Sequence, residues 1–319
     1  MENSGRFVGA EDVHRLLAFP RLIDALGHAF TAGCVAPHRH QHLARLQGEA
    51  DATLLLMPSW TSSGADQPYI ALKVMTVIPG AAAGLPNVNS KVLLLDGATG
   101  ELVVVADGNA ITARRTVATS VLAARYLARP DAATLLIAGA GRIGSLLYDG
   151  YAEAFPIAEA LVWDIDAGLA GALVDRLAAR GIAARLVADL DADLGRADIV
   201  TSATRSTAAF LGGRHLRPGT HVDLIGSFKP VMREADDALI ARGSIFIDTD
   251  NALVESGDLI QPIEAGVITS ADIRGSLADL CAGRKPGRTD ASEITVFKTV
   301  GSAIADLAAA RLVHTLSAA

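Results

Sequence analysis

The run Leu135-Leu136-Ile137-Ala138-Gly139-Ala140-Gly141-Arg142-Ile143-Gly144 constrains this chain more than any other feature. A short apolar strand leads straight into G-x-G-x-x-G, and Ser145 to Ala154 behind it reads as a helix. That spacing suits a backbone that must lie against a pyrophosphate. Gly139 makes the tight turn and Gly141 lets the diphosphate approach. Gly144 lets the helix pack on the strand with its N-terminus toward the phosphates. A second apolar run, Ala160-Leu161-Val162-Trp163, ends in Asp164. It stands about 20 residues past the last glycine, where an acid accepts bonds from ribose hydroxyls.

The fingerprint begins after more than a third of the 319 residues has passed, so a sizeable domain precedes it. Two domains are the natural expectation at this length. Half the residues are hydrophobic but only 4% are aromatic, so aliphatic and alanine packing must fill the cores. A net charge of −7 without a long basic run argues against nucleic acid as a partner. Cys34 and Cys281 lie far apart in sequence with no CxxC, which fits a reducing, cytoplasmic setting. The opening Met1-Glu2-Asn3-Ser4-Gly5-Arg6 does not read as a signal peptide. No apolar run reaches the roughly 18 residues of a membrane span, so no membrane association is expected.

The pattern changes along the chain. Ala10 to Phe30 reads as one or two amphipathic helices interrupted at Pro20. Thr53 to Met57 is a short strand stopped by Pro58, and Tyr69 to Ile78 is a second, closed by Pro79-Gly80. Val92 to Leu95 and Leu102 to Ala106 flank Asp96-Gly97-Ala98-Thr99-Gly100, a hairpin signal. Four strands with short links predict an antiparallel sheet. From Thr112, a plausible N-cap, a helix runs to about Leu127 and stops near Pro130. Strand and helix then alternate through Leu135–Ala138, Leu161–Trp163, Ala184–Val187, Ile199–Ser202, His221–Ile225 and Ser244–Asp248. The expected fold class is therefore α/β, a doubly wound parallel Rossmann sheet joined to a mixed α+β domain. An alanine-rich last helix, Ser302 to Leu316, can return to the first domain.

Several residues stand out chemically. Lys73 sits inside the apolar strand Tyr69 to Ile78, where a lone buried charge is expensive. It is either an edge-strand lysine facing water or a cation waiting for an anion. Arg114-Arg115 follow Thr112 in what would be the first helical turn, where the dipole disfavours cations. They are either a solvated pair or a bidentate clamp for a carboxylate. Pro37-His38-Arg39-His40-Gln41-His42 has alternate histidines, but no nearby Cys, Asp or Glu completes a metal set, so no metal is expected. Arg39 is the better candidate there, as a third anion contact. Ile225-Gly226-Ser227-Phe228-Lys229-Pro230 follows a predicted parallel strand, at the cofactor end of the sheet. Phe228 in it is either a pocket wall or a core residue.

These pieces together resemble the ornithine cyclodeaminase/mu-crystallin family over almost the full length. The matching blocks are Leu56-Met57-Pro58, Lys73 in its strand, Asp107 to Thr116, the glycine fingerprint, Ile225 to Phe228 with Pro230 and Arg233-Glu234, and Phe297 to Ala303. The resemblance implies a Rossmann domain over 116–301 and a substrate-binding and dimerisation domain over 1–115 completed by 302–319. It implies a homodimer. It also implies a carboxylate site built from Lys73 and Arg115, with Arg39 as a further contact. Thr116, Gly139, Gly141, Arg142, Ile143 and Gly144 are the expected cofactor residues, with Asp164, Ser202, Gly226 and Gly301.

One departure bears on the reaction. Cyclodeaminases and archaeal alanine dehydrogenases of this family carry an aspartate two residues after the glycine of the Ile-Gly block, and here that position is Phe228. A cyclodeaminase must move protons and expel ammonia, work suited to a placed carboxylate. Reducing a cyclic imine demands less, because binding and orientation supply much of the acceleration. Gly226 to Asp236 is similar to the bacterial Δ1-pyrroline-2-carboxylate reductases of the family. The expected activity is thus a ketimine reductase converting Δ1-pyrroline-2-carboxylate to L-proline and Δ1-piperideine-2-carboxylate to L-pipecolate. The expected substrate is a small cyclic imino acid, held by Lys73, Arg115, Arg39 and Phe228. The alternatives are a cyclodeaminase, an alanine-type dehydrogenase and a mu-crystallin-like ligand-binding protein. The cofactor is NADH or NADPH. Asp164 favours NADH by repelling a 2′-phosphate, whereas Arg142 offers that phosphate a partner.

Overall fold

The computed structural model describes residues 5–45, 51–79 and 87–318; Met1 to Ser4 of the expected leaderless start and Gly80 of the expected strand stop lie outside them. The chain forms two compact units, one from residues 1–115 with 302–319 and one from 116–301. No helix among the described residues is long and apolar enough to cross a membrane.

The first unit runs β1 (Arg6–Val8), α1 (Ala10–Leu16), α2 (Phe19–Ala32), β2 (Cys34–Val35), β3 (His40–Ala44), β4 (Ala52–Thr61), β5 (Tyr69–Val77), β6 (Val88–Asp96) and β7 (Leu102–Asp107), then enters α3 (Gly108–Leu127). Its sheet has the order β1-β7-β6-β5-β4-β2, with β3 also on β4. The four long strands are antiparallel as expected, and β1 adds a parallel edge on β7. Helix α2 buries Phe19, Leu22, Ile23, Leu26 and Phe30, one stripe at helical spacing.

Three local expectations need correction. Pro20 does not interrupt a helix; it stands in the first turn of α2, where a missing N–H costs nothing. Pro58 does not stop its strand. β3 pairs β4 over residues 52–56 and β2 pairs it over 60–61, so Pro58 lies in the gap between them and removes no ladder bond. Finally, α3 begins at Gly108, not Thr112. The Asp107 carboxylate accepts from Ala110 N at 2.9 Å, and Asn109 bonds Ser90 Oγ and Val88 O on β6. A Cβ on Gly108 would fall 2.6 Å from Ser90 Oγ, so the helix start can abut β6 only as glycine. Asp107-Gly108-Asn109 is thus the true helix start, and Arg114-Arg115 stand in the second turn, outside the reach of the dipole argument.

The second unit runs β8 (Thr134–Ala138), α4 (Gly144–Ala152), β9 (Glu159–Trp163), α5 (Ala167–Ala178), β10 (Ala184–Leu186), α6 (Leu190–Leu194), β11 (Ile199–Ser202) and β12 (His221–Leu224). It continues with α7 (Asp237–Arg242), β13 (Ser244–Ile247), α8 (Ala252–Glu255), α9 (Gly257–Glu264), β14 (Ile273–Ser276), α10 (Leu277–Cys281) and β15 (Thr295–Lys298); α11 (Ala303–Ala318) belongs to the first unit. All eight strands are parallel, in the order β10-β9-β8-β11-β12-β15-β13-β14. β11, β12 and β15 are buried at every residue, the mark of a parallel sheet covered on both faces. The chain leaves β8 toward β9 and β10 and returns to β11 on the other side. The carboxyl ends of β8 and β11 therefore flank the topological switch point where such sheets bind their ligands.

Candidate active site

The three fingerprint glycines answer to three different constraints. Gly139 has φ +99°, and a Cβ there would meet Ala203 O at 2.9 Å. A Cβ on Gly144 would lie 1.7 Å from Gly139 O, so only glycine lets α4 start this close to the turn. Around Gly141 a Cβ would meet nothing within 4 Å, which leaves open space at the loop tip for a diphosphate. The residue before α4, Ile143, offers no side-chain acceptor to the helix's first N–H groups. A phosphate fits that end. Arg142 beside it is exposed. The Asp164 carboxylate is half-buried, accepting from Ala140 N at 2.7 Å and Asp166 N at 2.9 Å. It thus shapes the glycine loop as well as standing at the end of β9 where a ribose would lie. The residues present fit a dinucleotide.

Two expected cofactor residues serve another carboxylate. Ser202 is fully buried, and its hydroxyl donates to Glu234 Oε1 at 2.6 Å. Gly226 N donates to Glu234 Oε2 at 2.7 Å, and a Cβ on Gly226 would fall 2.3 Å from Glu234 Oε1 and from Thr204 O. The space a side chain at Gly226 would need is taken by Glu234 and by Thr204 O. Gly301 takes φ +87° and donates to Asp248 Oδ2 at 2.8 Å. The same carboxylate accepts from Thr299 Oγ1 and Val300 N, which accounts physically for the Thr299-Val300-Gly301 turn. Thr116 is buried in α3. Phe228 is 43% exposed, in the loop after β12, and is not a core residue.

In the first unit, Lys73 is not an edge lysine. β5 is a central strand, and Lys73 is 2% exposed on the sheet face that α11 covers. Its Nζ donates to Thr112 Oγ1 at 2.6 Å and to both oxygens of Asp306 at 3.2 and 3.3 Å. Arg115 Nε donates to Asp306 Oδ1 at 3.0 Å. Two buried cations from β5 and α3 therefore share one buried carboxylate from α11. Burial alone would raise the Asp306 carboxyl, but Lys73 and Arg115 outweigh it and hold the group below its ordinary value. Arg114 is separate. It donates through Nε and Nη2 to Leu17 O and stacks 3.9 Å from the Phe19 ring centre, a structural tie rather than half of a clamp.

Arg39 lies exposed just before β3. Extending the β3–β4 register by one residue sets it opposite Met57, and Met57 is opposite Lys73. Arg39 and Lys73 thus belong to the same sheet face two strands apart, roughly 10 Å at ordinary strand spacing. His40 and His42 fall on the opposite face, exposed. Among the described residues no group of His, Cys, Asp or Glu could hold a metal.

Asp306, Glu234 and Asp258 were not foreseen as site residues. A signal existed for the first: Asp306 is the only acid in α11, among residues that are otherwise alanine, leucine and valine in its buried stretch.

A doubly wound sheet with a dinucleotide-ready switch point, carried by a chain whose other unit buries paired cations, defines an NAD(P)H-dependent oxidoreductase. The chain belongs to the ornithine cyclodeaminase/mu-crystallin family, whose model matches residues 6–318. It is 43% identical over 246 residues to a Delta(1)-pyrroline-2-carboxylate reductase of Paracoccus denitrificans, covering 74% of this chain and 75% of that protein. The Thermococcus litoralis Delta(1)-pyrroline-2-carboxylate reductase, solved with NADH and L-proline, superposes with TM-score 0.89 at 30% identity, covering 98% and 97% of the two chains. An archaeal alanine dehydrogenase dimer with bound NAD superposes with TM-score 0.88 at 25% identity, covering 98% and 96%.

Proposed function

We propose that this protein reduces cyclic imino acids, taking Δ1-pyrroline-2-carboxylate to L-proline and Δ1-piperideine-2-carboxylate to L-pipecolate. The observation that carries the reading is the buried Lys73–Asp306–Arg115 cluster of the first unit, in a chain that has Phe228 where the ammonia-handling relatives have a carboxylate. When bound, NAD(P)H supplies the hydride that reduces the imine carbon. One proton completes the amine, so imine, NAD(P)H and H⁺ give amine and NAD(P)⁺. Lys73 and Arg115 bind the substrate carboxylate, with Arg39 as a further contact. Thr112 and Asp306 hold the Lys73 ammonium in one place. Phe228, exposed in the loop after β12, cannot act as a base. Asp164 favours NADH over NADPH through like-charge repulsion of a 2′-phosphate.

The first unit also supports a homodimer. On the sheet face opposite Lys73, register aligns Leu54, Leu56, Trp60, Ile70, Leu72 and Leu93, all partly exposed, with Trp60 at 38% and Ile70 at 40%. This largely apolar face, bordered by Lys91, Asn89 and Thr76, calls for a partner, and a second copy of this chain fills it, as the dimeric alanine dehydrogenase relative suggests.

The assay uses the purified protein with NADH or NADPH and each imine. NAD(P)H oxidation with both imines is expected, faster with NADH, with no ammonia released from ornithine. Ammonia release at a comparable rate, or no turnover of either imine, would overturn the reductase reading.

A further inference from the structure

The second unit buries three charges that the proposed chemistry does not use: Glu234, Asp258 and Lys298, each 0% exposed. Burying an ion costs several kcal/mol even when paired, so the arrangement invites a reason beyond packing. Lys298 Nζ pairs with Asp258 Oδ2 at 3.2 Å. Asp258 Oδ1 accepts from the backbone N–H of Glu234 at 2.7 Å and of Ala235 at 3.0 Å, which fixes where Glu234 starts. The Glu234 carboxylate then reaches two loops at once. Its Oε1 accepts from Ser202 Oγ, Thr204 N and Thr204 Oγ1, at 2.6 to 2.8 Å, all at the end of β11. Its Oε2 accepts from Gly226 N, at the end of β12. Burial raises the Glu234 carboxyl, and two backbone N–H groups and two hydroxyls converge on its two oxygens.

Those two loops have a defined place. The glycine fingerprint and Asp164, at the ends of β8 and β9, take the pyrophosphate and the adenosine ribose. A dinucleotide lies across the switch point, so its other half falls to the ends of β11 and β12. We propose that Glu234 is a positioning residue for the nicotinamide half of the crevice: one buried carboxylate locks the β11 and β12 loops in register with each other. The proposal rests on the reading of this unit as an NAD(P)H site, and it predicts a division within the cofactor. Loss of Glu234 loosens the nicotinamide end and leaves the adenosine end intact.

Glu234→Gln tests it. An amide has one acceptor oxygen, so its NH2 must face a donor of one loop or the other. The binding of NADH and of ADP-ribose, which lacks nicotinamide, is measured by calorimetry on the full chain. NADH is expected to bind about 10- to 100-fold more weakly, the effect of a buried donor left unpaired, with ADP-ribose within about twofold of wild type. Thr204→Val, which removes one donor and leaves the carboxylate, is expected to weaken NADH alone, by about two- to fivefold, and serves where Glu234→Gln does not fold. An unchanged NADH affinity, or equal weakening of NADH and ADP-ribose, overturns the positioning role, because a merely structural carboxylate would move both ligands or neither. Wild-type protein that binds neither ligand would instead overturn the dinucleotide reading itself.

Discussion

Two adjacent arginines show how much depends on single positions. Arg114 and Arg115 are chemically identical and neighbours on α3, yet one binds a backbone carbonyl and an aromatic ring while the other joins Lys73 and Asp306. Arg115→Ala and Lys73→Ala are each expected to lower kcat/KM about 30- to 1000-fold, the loss of roughly 2–4 kcal/mol of charge-assisted contact. Each also strips a partner from the buried Asp306 carboxylate, so the melting temperature should fall. NADH affinity should stay near wild type. Arg114→Ala should lower the melting temperature while kcat/KM stays within about threefold. Steady-state kinetics with pyrroline-2-carboxylate beside thermal melts separate the pair. Equal kinetic losses in the two arginine variants would remove the distinction drawn between them.

Among the elements, β12 carries a titrating group in its middle. Asp223 is fully buried between Tyr151 of α4 and Thr201 of β11, whose hydroxyls donate to its Oδ2 at 3.0 and 2.7 Å. Burial pushes its carboxyl up to about 6, against the pull of those two donors. The folded state therefore holds this proton more tightly than the unfolded chain does. Stability from Asp223 is full below pH about 4 and is lost as pH rises toward about 6, in all of order 3 kcal/mol. His221 on the same strand runs the other way. Burial lowers it to about 3, so it costs stability as pH falls below its ordinary value. A variant isolates the first effect. Asp223→Asn keeps an oxygen for Tyr151 and Thr201, and its melting temperature should exceed wild type at pH 8, with the gain shrinking toward pH 4. A constant difference across that range would show that Asp223 does not titrate there. Strand periodicity and the glycine fingerprint made most of this sheet legible, and Ile199–Ser202 falls where the sequence put it. What stayed hidden depends on partners remote in sequence. Pro58 is tolerated only because β2 and β3 leave a gap, and Lys73, singled out in its strand, is held by an aspartate 233 residues away. Glu234 acts through loops that no local pattern joins.

At the scale of the whole molecule, the alternation of a β-strand separates two jobs in the first unit. Odd positions of β5, Lys73 among them, face the covering helix, and even positions such as Ile70 and Leu72 face away from it. The second face carries apolar side chains on β4, β5 and β6 that remain half-exposed, whereas a solvent-facing sheet surface is ordinarily polar. A second copy packed on it through a twofold axis would cover the same residues in both chains. Because the two faces are independent at the level of the strand, substitutions at Ile70 and Leu93 can disrupt the contact without turning Lys73. Light scattering at micromolar concentration should give twice the chain mass for wild type and the single-chain mass for Ile70→Glu/Leu93→Glu. NADH binding, which we assign to the unit 116–301, should survive in the double variant. Wild-type protein that scatters as a single chain would refute the dimer, and a double variant that remains dimeric would move the interface off this face.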